Sequence, residues 1–438
     1  MNQKGKIQKL GCHLKRMAAA VLPPRNWRTN LLLAAVACGL MAPSVLGNTI
    51  PQGWSFRSGH GTGTVTVAPG GVGATVSLNG STAVIDWNSF NIGTNNFVLF
   101  ESFTDTNFRV LNFTNQAGAS NIHGSIFGTG TVGLINPAGV VFWGSSVVNV
   151  GSFLAASANT IDETAFLSGG EFSMKMGSGS VRTFPGSTMI ATDGLMLAGR
   201  TVTNRGNINA PIVLMAGGLN NADEVTIKTV GDVIGFRLNG TDLGLDSGAD
   251  TTDASGYYSP NTGALEPTNL GSVGVNNTGT ITASKHIAMA SGDFCGFAIA
   301  NTGTISAQGG IVDAVALTGM IHNTGSINSH GPSGGQVRMA APVIVNGATG
   351  LIGADSTGNG SGGDILMASC MNTIFETGSQ VYANAGLSGD GGRITSLSFG
   401  SQLVEADASL TAEGGWMSGD GGRVSLRSDT LAVEGWIK

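Results

Sequence analysis

Charge is scarce in this chain. Only 11% of its 438 residues are Asp, Glu, Lys or Arg, and aromatic residues make up 6%. Disordered segments pair low hydrophobicity with high charge, whereas here 41% of residues are hydrophobic, so a packed structure is expected. The four cysteines (Cys12, Cys38, Cys295, Cys370) form no CxxC pair and are too few for a disulfide framework. The six histidines (13, 60, 123, 286, 322, 330) show no metal-ligand spacing. P-loops, dinucleotide fingerprints and strand-to-helix nucleophile elbows are all missing. Cofactors and metals are therefore not expected.

Acidic residues are absent from the first 47 positions, which hold seven basic ones and then an apolar run, 31–40. Basic start, apolar middle and the small residues before Asn48 read as an export signal over 1–47. The run falls short of the ~20 residues a membrane span needs. Beyond it no stretch approaches that length, so no transmembrane span is expected in the mature chain. Loss of the signal leaves 14 basic against 27 acidic residues, a net charge near −13. That balance argues against nucleic acid as a partner.

Glycine, in contrast, is abundant: 70 residues. Short apolar runs bounded by Gly, Asn, Pro and Ser read as strands joined by tight corners. The phrase Asn-Thr-Gly-Thr/Ser-Ile recurs at Asn277, Asn301 and Asn323, with a looser copy at Asn204. Its central apolar residues continue as Ile281, Ile305, Ile327, Ile352, Val381 and Leu410, spaced 22 to 29 residues apart. A second repeat, Gly-Gly-x-Val/Ile, begins at Gly334, Gly362, Gly391 and Gly421. Periods of this size with strands and no helix predict a solenoid with one period per coil and the isoleucines in an internal column. Asn204, Asn277, Asn301 and Asn323 then fall at one corner and stack as a structural amide ladder. The expected fold is all-β: a right-handed parallel β-helix from about residue 48 to the C-terminus. Coils are expected over 165–238 and 273–438, the latter ending mid-solenoid as in a piece of a longer protein. Between them, 239–272, with Asp242, Asp246, Asp250, Asp253, Tyr257 and Tyr258, reads as an acidic loop off the solenoid.

The stretch 132–161 alternates strand and corner most densely. Its turn Asn136-Pro137-Ala138-Gly139 uses Pro137 to pre-set φ and Gly139 to supply a positive φ. With AVIDWNSFNIG at 83–93 and SNIHGSI at 120–126, it resembles the filamentous-haemagglutinin-type secretion domain of two-partner secretion exoproteins. The similarity covers 48–164, with the motifs in order. Ala138 stands where the family usually has Asn, Val140 where it has Ile, and Trp143 intrudes before Gly144. The resemblance implies an N-terminal β-helical cap domain, recognised by an outer-membrane transporter of the two-partner type. It further implies secretion through periplasm and outer membrane of a Gram-negative-type envelope, and an adhesin-like role toward a cell-surface receptor or glycan. Asn136, Pro137, Ala138, Gly139 and Val140 are the candidate recognition residues, held evenly against a plain structural turn.

Chemistry has one candidate. Asp390 and Asp420 sit in two Ser-Gly-Asp-Gly-Gly-Arg hexamers one coil apart, the arrangement of an acid/base pair in a polysaccharide-cleaving β-helix. Their setting in a repeated Gly turn favours a corner, and no enzymatic activity is expected. The rival readings are a polysaccharide lyase or hydrolase and a passenger or structural surface-layer protein. Cys295 and Cys370 lie about three coils apart, on the order of 14 Å at the strand spacing. A disulfide spans at most about 7 Å between Cα atoms, so they are expected to stay unpaired.

Overall fold

The computed structural model describes residues 49–230, 233–239, 241–242, 269–292 and 295–438. The expected export signal, 1–47, and most of the acidic segment, 243–268, lie outside the described residues.

Among the described residues, thirty-four strands join in one sheet wound into stacked coils, a parallel β-helix. Its strands fall into three columns. The first runs from Gly73–Leu78 through Phe97–Ser102, Thr280–Thr282 and Ser409–Thr411 to Trp436–Ile437. In it Ile281, Ile305, Ile327, Ile352, Val381 and Leu410 pair directly, each with the next. All are at most 1% exposed. The period-two alternation of a strand sends these residues inward and their neighbours, mainly Thr, Ser and Asn, outward. The second column includes Thr82–Ser89, Ile212–Gly217, His286–Ser291 and Arg393–Ser398. The third includes Gly139–Phe142, Asn269–Asn277 and Met320–Asn323.

Corners are tight because glycine backbone rests on glycine backbone. A Cβ on Gly363 would lie 2.0 Å from the carbonyl oxygen of Gly335, on Gly392 2.1 Å from that of Gly363, and on Gly422 2.1 Å from that of Gly392. Two antiparallel pairings close the N-terminal end: Gln52–Phe56 against Thr82–Ser89, and Gly63–Val67 against Gly73–Leu78. These strands occupy an edge that would otherwise offer free N–H and C=O groups.

One expectation needs correction. Part of 165–238 is coil (Ser180–Thr183, Thr188–Ala198, Val202–Asn204, Asn207–Asn209 and Ile212–Gly217), but part leaves the solenoid. Ala158–Ile161, Phe172–Met176, Glu224–Val230, Val233–Leu238 and Thr241–Asp242 form a separate five-stranded antiparallel sheet. A short helix, Glu163–Ser168, connects its first two strands, capped by the Asp162 side chain and ended by Gly169 at φ 78°. This lateral layer covers the outward side of the second column. Val84, Leu111, Ile135, Leu154, Met196 and Leu214 point out of the solenoid yet are buried in a second core with Phe166, Met174, Ile227 and Phe236. The departure has a hydrophobic cause: outward apolar residues on these coils need a cover, and an amphipathic hairpin layer supplies it. The irregular segment is also shorter than 239–272, since Thr241–Asp242 and Asn269–Asn277 are strands.

Candidate functional site: the secretion-type motifs and their braces

The turn Asn136–Gly139 joins two strands, Thr131–Ile135 and Gly139–Phe142. Asn136 is fully buried and its side chain saturates the corner. Its Oδ1 accepts the N–H of Ala138 at 2.9 Å, while its Nδ2 donates to the Gly118 carbonyl and the Ser120 hydroxyl, both at 3.1 Å. The Gly139 N–H closes the turn on the Asn136 carbonyl at 2.8 Å. Gly139 has φ 105°, in the region that favours glycine, and a Cβ there would meet the Ser180 carbonyl at 2.4 Å. The Pro137 carbonyl accepts from the Ser157 hydroxyl and from the Gly179 N–H, both at 2.9 Å. Val140 is buried in the core; Pro137 and Ala138 alone of the five are half-buried. The turn thus presents a two-residue tip, and its flanks are structural.

The other motif residues act as cross-braces between coils. Asp86 is bound by Arg57 of the cap, with Nε to Oδ2 at 3.0 Å. That bond is the leading cause of an Arg57 pKa raised above its ordinary value. The Trp87 indole donates to Asn112 at 3.0 Å, and Asn112 donates on to the Gly133 carbonyl at 3.0 Å. Asn91 accepts the Asn121 N–H at 2.8 Å. Trp143, the intruding residue, stacks between His123 (centroids 5.1 Å apart) and Phe184 (4.5 Å), and its indole donates to Asn121 at 3.1 Å. It continues a ring stack from coil to coil.

The corner asparagines are brought together. Asn204, Asn277, Asn301 and Asn323 are buried, and each Nδ2 donates to the Oδ1 of the next at 2.8 Å. The ladder extends one step further than the sequence repeat indicated, to Asn346. Thr183 begins it by donating to Asn204 at 2.7 Å. Asn346 escaped notice because six positions separate it from Ile352, against four between Asn323 and Ile327.

Asp390 and Asp420 are exposed, in turns with Gly389 at φ 116° and Gly419 at φ 129°. The Asp390 carboxylate accepts the Asp420 N–H at 2.9 Å, and the Asp390 N–H donates to Ser361 at 3.1 Å. Each coil's side chain holds the backbone of the next, which is corner work. Among the described residues, no group of three or more His, Cys, Asp or Glu is placed to hold a metal. No described helix is long and apolar enough to cross a membrane. Cys295 is buried and Cys370 half-buried, and no disulfide joins them. The register Phe297–Met320–Val343–Asn372 separates them by three coil steps.

Sequence reasoning missed one buried cluster. Asp313 accepts from Arg338 at 2.6 and 2.7 Å and lies 2.8 Å from the His286 Nε2, all three nearly inaccessible. Burial pushes the Asp313 carboxyl up, but hydrogen bonds and charge from His286 and Arg338 outweigh it and hold it below the ordinary value.

Against known proteins, residues 62–235 match the family described as TPS secretion domain. The chain is 31% identical over 167 residues to the heme/hemopexin-binding protein of Haemophilus influenzae, a match covering 37% of this chain and 18% of that one. It therefore spans less than a fifth of that relative's length. In fold it is similar to the crystal structure of the HMW1 secretion domain from Haemophilus influenzae, with a TM-score of 0.62 at 17% identity, over 89% of this chain and 100% of that one. The matched segment, 62–235, takes in the second cap strand, the first coils and most of the lateral sheet, reaching past the motif-bearing stretch 48–164. Over residues 62–235 the chain is thus similar to the TPS, or two-partner secretion, domain family.

Proposed function

We propose that this chain is an exoprotein exported by a two-partner system. In this reading the TPS domain is recognised by a dedicated outer-membrane transporter, and the coils beyond it form an adhesin-like extracellular stalk toward a receptor or glycan. The observation that carries the reading is the family match over 62–235, because it falls on one part of the fold: the second cap strand, the covered coils and most of the lateral sheet. Among the candidate recognition residues the tip Pro137–Ala138 is the accessible part; Asn136, Gly139 and Val140 hold the corner. The stalk role is supported by the regular stack from 273 to 438, whose outward positions in the first column are mainly Thr, Ser and Asn.

A non-enzymatic role is part of the proposal, and the corner bonding of Asp390 and Asp420 supports it. Deleting 62–235 while keeping 1–47, in cells that carry a two-partner transporter, should trap the product in the periplasm. Normal appearance of that deletion outside the cell would overturn the export reading. Turnover of a uronate-containing polysaccharide, abolished by both Asp390→Ala and Asp420→Ala, would overturn the non-enzymatic one.

A further inference from the structure

Three parts of the chain, far apart in sequence, meet at one guanidinium. Arg57 lies just after the cap strand Gln52–Phe56, Asp86 in the first coil, and Glu163 at the start of the short helix of the lateral layer. Arg57 binds both carboxylates: Nε and Nη2 hold Asp86, and Nη1 holds Glu163. His60 stands 3.5 Å from the other Glu163 oxygen, and the guanidinium lies 4.7 Å from the centre of the Phe113 ring. The Glu163 side chain is only 20% exposed and that of Arg57 34%. The helix has an apolar anchor as well. Phe166 is buried in the same apolar cluster as Val84, Leu111 and Leu154. Its ring fits because residue 133 is glycine, where a Cβ would already lie 3.2 Å from it.

The helix thus straps the outward face of the early coils back to the cap, with a charged anchor at one end and an aromatic plug in the middle. We propose that Arg57, Asp86 and Glu163 form a folding latch, through which the helix Glu163–Ser168 holds the N-terminal cap closed. The cap then reaches its protected state only when the chain through residue 168 is in place. Without Glu163, Arg57 keeps one carboxylate of two, and the cap strand is left with its pairing to Thr82–Ser89 alone. A hydrogen bond to a charged group contributes more than a neutral one, enough to change local opening on the order of tenfold. The latch does not depend on the export reading, since it is a property of the folded chain.

Native-state hydrogen exchange on the full chain tests it at two amides, Arg57 N–H on the Val84 carbonyl and Val84 N–H on the His60 carbonyl. The amides of Thr302 and Thr324, bonded to Asn277 and Asn301, serve as distant references. Glu163→Gln and Phe166→Ala should each speed exchange at Arg57 and Val84 about tenfold and leave the references unchanged. Glu163→Asp, which keeps the charge but shortens the reach, should give a smaller effect in the same place; it also serves if the other variants do not fold. Pulse labelling during refolding should show Arg57 and Val84 gaining protection no earlier than Phe166 and Gly170. Cap amides within twofold of wild type in all variants, equal acceleration at the reference amides, or protection of the cap ahead of the helix would each overturn the latch.

Discussion

Asn323 donates through its Nδ2 to the Oδ1 of Asn346 at 2.8 Å, and both side chains are wholly buried. The bond is the last step of a ladder in which every amide points its donor toward the C-terminus. Removal of a middle member strands a donor on one side and an acceptor on the other. Asn323→Ala is therefore expected to cost about 2–4 kcal/mol, from ~1–3 for each unsatisfied buried group and partial relaxation. Urea unfolding of the variant checks this; a loss under about 0.5 kcal/mol would mean the ladder contributes no more than an ordinary surface position.

Gly392 and Gly421 provide a matched pair. A Cβ on Gly392 would lie 2.1 Å from the Gly363 carbonyl oxygen, whereas nothing stands within 4 Å of one on Gly421. Gly392→Ala should push two coils apart and lower the thermal midpoint by several degrees at least, at about 2 °C or more per kcal/mol. Gly421→Ala should leave it nearly unchanged. Equal midpoints for the two variants would contradict the backbone-on-backbone corner.

Acid should reveal Asp313. A carboxyl whose folded pKa is held below its ordinary 3.8 adds stability that is complete above 3.8 and lost as the pH falls through the lower folded value. Asp313→Asn also leaves Arg338 without that carboxylate, so a destabilisation of about 3–5 kcal/mol is expected at pH 7. The gap between wild type and variant should narrow as the pH drops below about 4. Asp355 and Asp364 are raised by burial and act in the opposite sense, but they are common to both proteins and cancel in the difference. A gap constant from pH 7 to pH 3 would contradict the assignment.

The two cysteines make a separate test. Burial pushes the Cys295 thiol up to about 12, so the native protein should hold it unreactive toward an alkylating reagent at pH 8. Unfolding without reductant should release two free thiols from a chain lacking 1–47. Finding none in a monomer would mean that the three-coil separation of Cys295 and Cys370 is wrong.

Much of this architecture is written locally. The phrase around Asn277, Asn301 and Asn323 names a corner and an inward isoleucine in seven residues, and the pairing of Ile281 with Ile305 follows from the repeat alone. The lateral sheet was less visible because it is not repeated. Its signal was nevertheless present: Glu224–Val230 and Val233–Leu238 alternate polar and apolar residues around Gly231-Asp232, a hairpin pattern within a chain otherwise read for coils. The Arg57–Glu163 pair was beyond local reading, since 106 positions separate its members and the helix that aligns them is six residues long. At the candidate turn, residue type indicated the positive φ of Gly139, but not the bonds by which the Asn136 side chain saturates the corner. Which residues stay accessible depended on the next coil, whose Gly179 closes on Pro137.

The glycine corners bear on how this chain can change length. Gly363, Gly392 and Gly422 rest one upon another, and Gly392 is followed by Arg393 as Gly422 is by Arg423. A deletion of 393–422 would join Gly392 to Arg423 and reproduce the existing junction, with glycine again above glycine. Deletion of 364–392 would do the same by joining Gly363 to Arg393, whereas a change that moves these glycines out of line would set a side chain against a carbonyl. Length in this part of the molecule is therefore counted in whole coils, and unequal recombination between its repeats has a steric rule to obey.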